Sequence, residues 1–248
     1  MNYCSYCVQD AGEQRGLESA GPWPRTVEDL ILVQKRIGQA TSHLWTPAGR
    51  VFSAAGCFVC FSRGRVGAGR PGEAGWAAAA LLRSGRIVAA ATVCGTAQAA
   101  YEPGLLALRE GLLLEEAVRR LPERPDLLLV NATGRDHPRG AGLAVHLGIR
   151  LALPTVGVTR NPLLASGEPP AEARGSLSPL FLGGTIVAYW LRTQRGKRPL
   201  VAHAAWQTDA RTAASVLLAL TTRWRTPEPL REARRLAREA RSEKRGDG

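Results

Sequence analysis

The sequence predicts one mixed α/β domain, and three observations carry that reading. Strand-like segments come early, at Gly56–Ser62, Gly75–Leu82 and Arg86–Cys94, with the hairpin dipeptide Ser84-Gly85 joining the last two. Helix and strand patterns then alternate from about Pro103 to Val158, as expected for parallel strands with helical crossovers. A late strand pair, an apolar helix and a charged helix close the chain, with no internal repeat and no boundary splitting the core.

Each element has its own local cause. Residues 1–24 are polar and punctuated by Gly and Pro, which predicts a poorly ordered arm. In Thr26–Ala40, Leu30, Val33, Ile37 and Ala40 share one helix face, and Thr26 is placed to cap it. Arg63–Gly72, RGRVGAGRPG, is too rich in Gly and Arg for regular structure and reads as a flexible loop or an anion cradle. A helix is expected over Pro103–Leu121, a buried strand at Asp126–Val130, a helix over Arg139–Leu147 and a short strand at Pro154–Val158. Thr185–Arg192 and Leu200–Ala204 read as the late strand pair and Asp209–Trp224 as the apolar helix. These segments predict an arm at 1–24, a domain over 25–226, and a charged, largely solvated helix and tail over 227–248.

The 248 residues are 45% hydrophobic and 22% charged, the balance of a soluble globular protein. No apolar run approaches the roughly 20 residues of a membrane span, and the N-terminus lacks a signal-peptide pattern, so a cytoplasmic protein is expected. The net charge of +12 favours polyanionic or small anionic partners. Five cysteines include two CxxC pairs, Cys4/Cys7 and Cys57/Cys60, the raw material of a zinc site. Cys57 and Cys60 lie in a strand pattern, however, where positions three apart face opposite sides, so buried reduced thiols are expected.

Two places could carry chemistry. In YEPGLLALREGLLLEEAVRR, Glu110 falls on the apolar stripe of Leu106, Leu113, Leu114 and Ala117, whereas Glu115 and Glu116 can face solvent. A carboxylate on an inner face is costly unless it is paired with an Arg, coordinated or functional. In LLLVNATGRDHPRGAG, a buried strand ends at Asn131 and opens into a loop with Gly134, Asp136, His137 and Arg139. His137 can move protons near neutral pH and Arg139 can fork onto a phosphate or sulfate. The same loop also reads as a helix start, which is itself an anion site.

These residues resemble the endonuclease V family. YEPGLLALRE, PDLLLVNATGRDHPRGAGLAVHLGI, LPTVGVTRNPL and TDARTAASVLLALTTRWRTPEPLREARRLAR occur in the family's order and spacing, over roughly residues 26–241. The resemblance implies a ribonuclease H-like fold, a mixed sheet flanked by helices, carrying a metal-dependent phosphodiesterase that cuts near deaminated purines. Its Tyr–Pro–Gly wedge matches Tyr101, Pro103 and Gly104. The family's metal is held by three carboxylates, and only Glu110 fills such a position here. The other two fall on Phe58 and Asn131, the family's Lys becomes Arg160, and its late His falls on Ala204, one residue from His203.

Mg²⁺ is normally anchored by at least one or two carboxylates, and it must serve as Lewis acid and water activator. The resemblance therefore implies a degenerate member that holds no metal and is not a working endonuclease V. Phe58 is expected to point into the cleft and fill the vacated metal space, with Asn131 facing Glu110. Three functions follow as expectations. One is a nucleic-acid-binding pseudonuclease, with Tyr101, Pro103, Gly104, Asn131, Gly134, Arg139 and Arg160 as the binding set. Another is a recruited, cofactor-free enzyme for displacement or elimination on a small phosphate- or sulfate-bearing substrate, as in ring formation during secondary metabolism. In that reading Glu110, Asp136 and His137 act as acid and base, while Arg139 and Arg160 hold the phosphate or sulfate leaving group. The third is a subunit that needs a protein partner.

Overall fold

The computed structural model describes residues 21–47, 52–62 and 67–243. The elements in chain order are α1 (Val27–Gln39), β1 (Ala54–Phe61), β2 (Ala74–Arg83), β3 (Arg86–Thr96), α2 (Leu106–Arg119) and β4 (Leu127–Val130). There follow α3 (Leu143–Leu151), β5 (Thr155–Thr159), β6 (Leu177–Leu182), β7 (Thr185–Leu191), β8 (Leu200–His203), α4 (Ala210–Ala219) and α5 (Glu228–Glu243). Among the described residues one eight-stranded sheet forms, in the order β3-β2-β1-β4-β5-β8-β7-β6. β1, β4 and β5 are mutually parallel, and the remaining pairings are antiparallel.

The four apolar residues of β4 show why the sheet is covered twice. Leu128 and Val130 enter the cluster under α1, α2 and α3, while Leu127 and Leu129 enter the one formed with α4 and Leu230 of α5. A strand buried on both faces needs an unbroken apolar run rather than alternation. The alanines of β2 divide in the same way, Ala77 and Ala79 to one face and Ala78 to the other. At Gly56 a Cβ would lie 2.5 Å from the backbone of Pro229 and Leu230, so that glycine sets how closely α5 approaches β1.

Several expectations are corrected. The helix over 227–248 is not wholly solvated: Leu230, Ala233, Ala237 and Arg241 are buried, and Arg241 Nη1 donates to the Phe61 carbonyl at 3.0 Å. Residues 1–20, with Cys4 and Cys7, lie outside the described residues, as do Arg63 and Arg65 of the Gly/Arg loop. Within the expected arm Trp23 is buried, stacks on His146 at 4.5 Å and donates its indole N–H to Glu115. Glu115 is therefore inside rather than facing solvent. Burial works against its charge, but bonds from Arg150 at 2.6 Å and from Arg119 hold its carboxyl below the ordinary range. Strand β6 was not expected; it pairs with β7 across Gly183 and Gly184. α3 starts at Leu143 rather than Arg139, because the preceding loop turns on Gly140 N–H to His137 O and Gly142 N–H to Gly134 O. No described helix is long and apolar enough to cross a membrane.

Candidate functional site

A cleft of about 260 Å³ opens at the carboxyl ends of β4 and β5, where diverging loops expose backbone groups in parallel sheets. Asn131, Ala132 and Thr133 form one wall, Thr159 and Asn161 a second, and Tyr101, Pro103, Gly104 and Ala107 a third. His137 and Gln34 also line it. Tyr101 is half exposed at the rim.

Gly104 adopts φ +79°, a left-handed conformation that favours glycine. Its carbonyl oxygen accepts from Gln34 Nε2 at 3.1 Å, Arg139 Nη2 at 2.9 Å and His137 Nε2 at 3.0 Å. Arg139 also donates through Nε to Gln34 Oε1 at 2.6 Å, and its backbone N–H donates to His137 Nδ1 at 3.2 Å. Since Nδ1 accepts, the network assigns the proton of a neutral His137 to Nε2. Burial lowers the His137 pKa, against the opposing Gly104 bond, so the neutral form is favoured. His137 and Arg139 thus brace the wedge. The structure does not leave His137 free as acid or base, nor Arg139 turned toward an anion. Gln34 was missed; its signal was a buried polar residue between Leu30 and Ile37 on the inner face of α1.

Asp136 and Gly134 are likewise structural. Asp136 is fully buried, and its oxygens accept the backbone N–H groups of Leu163, Leu164 and Ala165 at 2.7, 2.9 and 2.8 Å. It pins the loop after β5 to the loop after β4, and its lone pairs are spent there rather than on acid or base work in the cleft. A Cβ on Gly134 would lie 1.9 Å from the Ala204 carbonyl oxygen, so glycine permits that close approach beneath the cleft floor. Arg135, also unforeseen, ties the same loop to the end of α1 through Gly38 O at 2.8 Å and Ala40 O at 3.0 Å. His203, one residue before Ala204, is fully buried with Nε2 2.8 Å from Thr159 Oγ1. Burial depresses its pKa to about 4, Asp136 opposing.

Glu110 lies one turn beyond Ala107 on α2. Among the described residues it has no hydrogen bond or ion pair; Arg109 beside it pairs instead with Glu73 at 2.6 Å. Burial pushes its pKa up to about 8, with Arg109 opposing. The strand residue on Glu110's side is Cys57, which packs in the cluster under α1–α3; its thiol is raised by burial and then by the Glu110 charge. Phe58 does not fill the metal space. It alternates to the other face of β1, beside Cys60, Trp76 and Ala78, with the Arg234 guanidinium 5.0 Å from its ring centroid. Cys60 donates to Ala237 O on that face, so the Cys57 and Cys60 sulfurs do not converge.

On the Glu110 side of β1, then, stands a buried thiol, while the Phe58 ring is turned to the other face and Asn131 lines the cleft. No group of three or more His, Cys, Asp or Glu side chains among the described residues is placed to hold a metal ion. A divalent magnesium or manganese ion needs several oxygen donors with at least one or two charged carboxylates. This donor set does not fit one.

The comparisons agree with the fold. A family model described as endonuclease V matches residues 66–235. The endonuclease V of Streptomyces avermitilis is 42% identical over 154 residues, 62% of this chain and 67% of the relative. That of Trichormus variabilis is 31% identical over 218 residues, 87% of this chain and 96% of the relative. The Streptomyces avermitilis endonuclease V crystal structure superposes with a TM-score of 0.79 at 36% identity, covering 89% of this chain and 95% of that one. The ribonuclease H-like mixed sheet, the wedge cleft and these matches place the chain in the endonuclease V family.

Proposed function

We propose that this protein binds nucleic acid through the wedge cleft without cleaving it, a member of its family that has lost metal-dependent chemistry. One observation carries the proposal: Glu110 is the lone carboxylate of the three family metal positions, the strand residue on its side is Cys57, and no group of three possible metal ligands occurs among the described residues. An ion there would lack the negative charge that makes it shed its water. Binding is supported by the preserved wedge, held on three donors, and by the net charge of +12. The reading as a recruited acid–base enzyme called on Asp136 and His137, whose polar atoms are engaged with backbone groups.

Fluorescence anisotropy with an inosine-containing oligonucleotide, beside a nicking assay with Mg²⁺ or Mn²⁺, tests both halves. Salt-sensitive binding without nicking is expected. No binding at low salt would remove the binding half, and nicking would remove the other.

A further inference from the structure

Phe58 shares its face of the sheet with a group of arginines that the wedge cleft does not use. The Arg234 guanidinium sits 5.0 Å above the Phe58 ring, where the negative ring face holds a cation without neutralising it. Arg234 Nε is buried with no hydrogen-bond partner. Burial first, then the charges of Arg238, Arg160 and Arg225, lower the Arg234 pKa, so each of the three stands within electrostatic reach of Arg234. Arg225 is fixed in place, Nε donating to Arg198 O at 2.6 Å and Nη2 to Pro199 O at 3.0 Å. None of Arg160, Arg225, Arg234 and Arg238 has a carboxylate partner among the described residues. The nearby helix acids Glu232 and Glu239 are both engaged by Arg235 at 2.5 Å.

Clustered cations without an acid repel one another, and the native fold retains this arrangement at a cost in stability. The location accounts for it. Arg160 lies between Thr159 and Asn161, both cleft residues. Phe58 follows Cys57, the register partner of Val130, so it lies one residue past the last β1–β4 pair, near the end of β4, with its ring on the α5 face. We propose that Arg234, with Arg160, Arg225 and Arg238, is a phosphate-binding site for the backbone of a single-stranded nucleic acid entering the cleft. Positive charge that a bound ion would bring is supplied here by guanidinium groups, whose forked donors match phosphate oxygens. The buried Nε of Arg234 is the donor left open for it.

This site rests on the nucleic-acid reading, and the test separates the two. Anisotropy of a labelled single-stranded 12-mer is measured against salt for wild type, Arg234→Gln, Arg234→Lys and Arg238→Gln, with each variant's fold checked by its thermal melt. The expectation is an affinity loss of about tenfold for Arg234→Gln, a salt slope shallower by about 1, and partial rescue by Lys. If Arg234→Gln does not fold, the exposed Arg238→Gln must show the shallower slope. Wild-type binding with unchanged slopes in both Gln variants would overturn the site and leave the binding function standing. Absence of wild-type binding at low salt would overturn both.

Discussion

His137 donates its Nε2–H to the carbonyl oxygen of Gly104 at 3.0 Å, so the HPR loop supports the Tyr101–Gly104 turn. Replacing His137 by Phe removes one of three donors to that oxygen. A stability loss of about 1 kcal/mol is expected, the net worth of one such bond. The wedge turn also closes through Leu105 N–H to Glu102 O at 3.0 Å, so the Leu105 amide should exchange faster with solvent. Unchanged exchange at Leu105 would mean that Arg139 and Gln34 hold the wedge alone.

Glu110→Gln should stabilise the protein at slightly alkaline pH. Its folded pKa is about 8 against an ordinary value of 4.5, so below 4.5 both states hold the proton. As pH rises from 4.5 toward 8 the unfolded chain ionises first, and stability falls. The amide cannot ionise and escapes that loss. A gain on the order of 2 kcal/mol at pH 7.5, and none at pH 4, is expected in urea unfolding, after allowance for the residue's residual solvent contact. A variant no more stable at pH 7.5 would show that the carboxylate is compensated in the fold.

His146 gives the opposite pH dependence. Burial, then the Arg150 charge, lowers its pKa to about 3, and its Nδ1 is buried without a partner. Below about pH 6.5 the unfolded state takes up a proton that the folded state refuses, so stability falls with falling pH. His146→Phe keeps the stack on Trp23 and removes both the orphan nitrogen and the titration. Its melting temperature should exceed wild type at pH 5 by more than at pH 7.5. An equal difference at both values would show that His146 titrates normally.

The parts of the fold with strong periodicity were legible in the sequence: the early hairpin, the run of β4 and the helix carrying Glu110. What escaped depended on contacts distant in sequence. Glu115 was assigned to solvent because nothing local shows that Trp23 and Arg150 cover it. The bonds of Asp136 and Arg139 could not be read locally because their partners, Leu163–Ala165 and Gly104, are 27 to 29 and 35 residues away. Phe58 was given the cleft on family position alone, whereas strand alternation turns its ring toward α5 and leaves Cys57 on the Glu110 side.

Manganese-dependent nicking of an inosine-containing oligonucleotide by the purified wild-type protein, with Glu110→Ala in parallel, bears most directly on the proposed loss of the cleavage centre. One carboxylate with a buried thiol on its side of the sheet is too weak a cage for a divalent ion. The expected result is nicking at background for both proteins. Robust nicking by wild type that requires the metal and disappears in Glu110→Ala would contradict it.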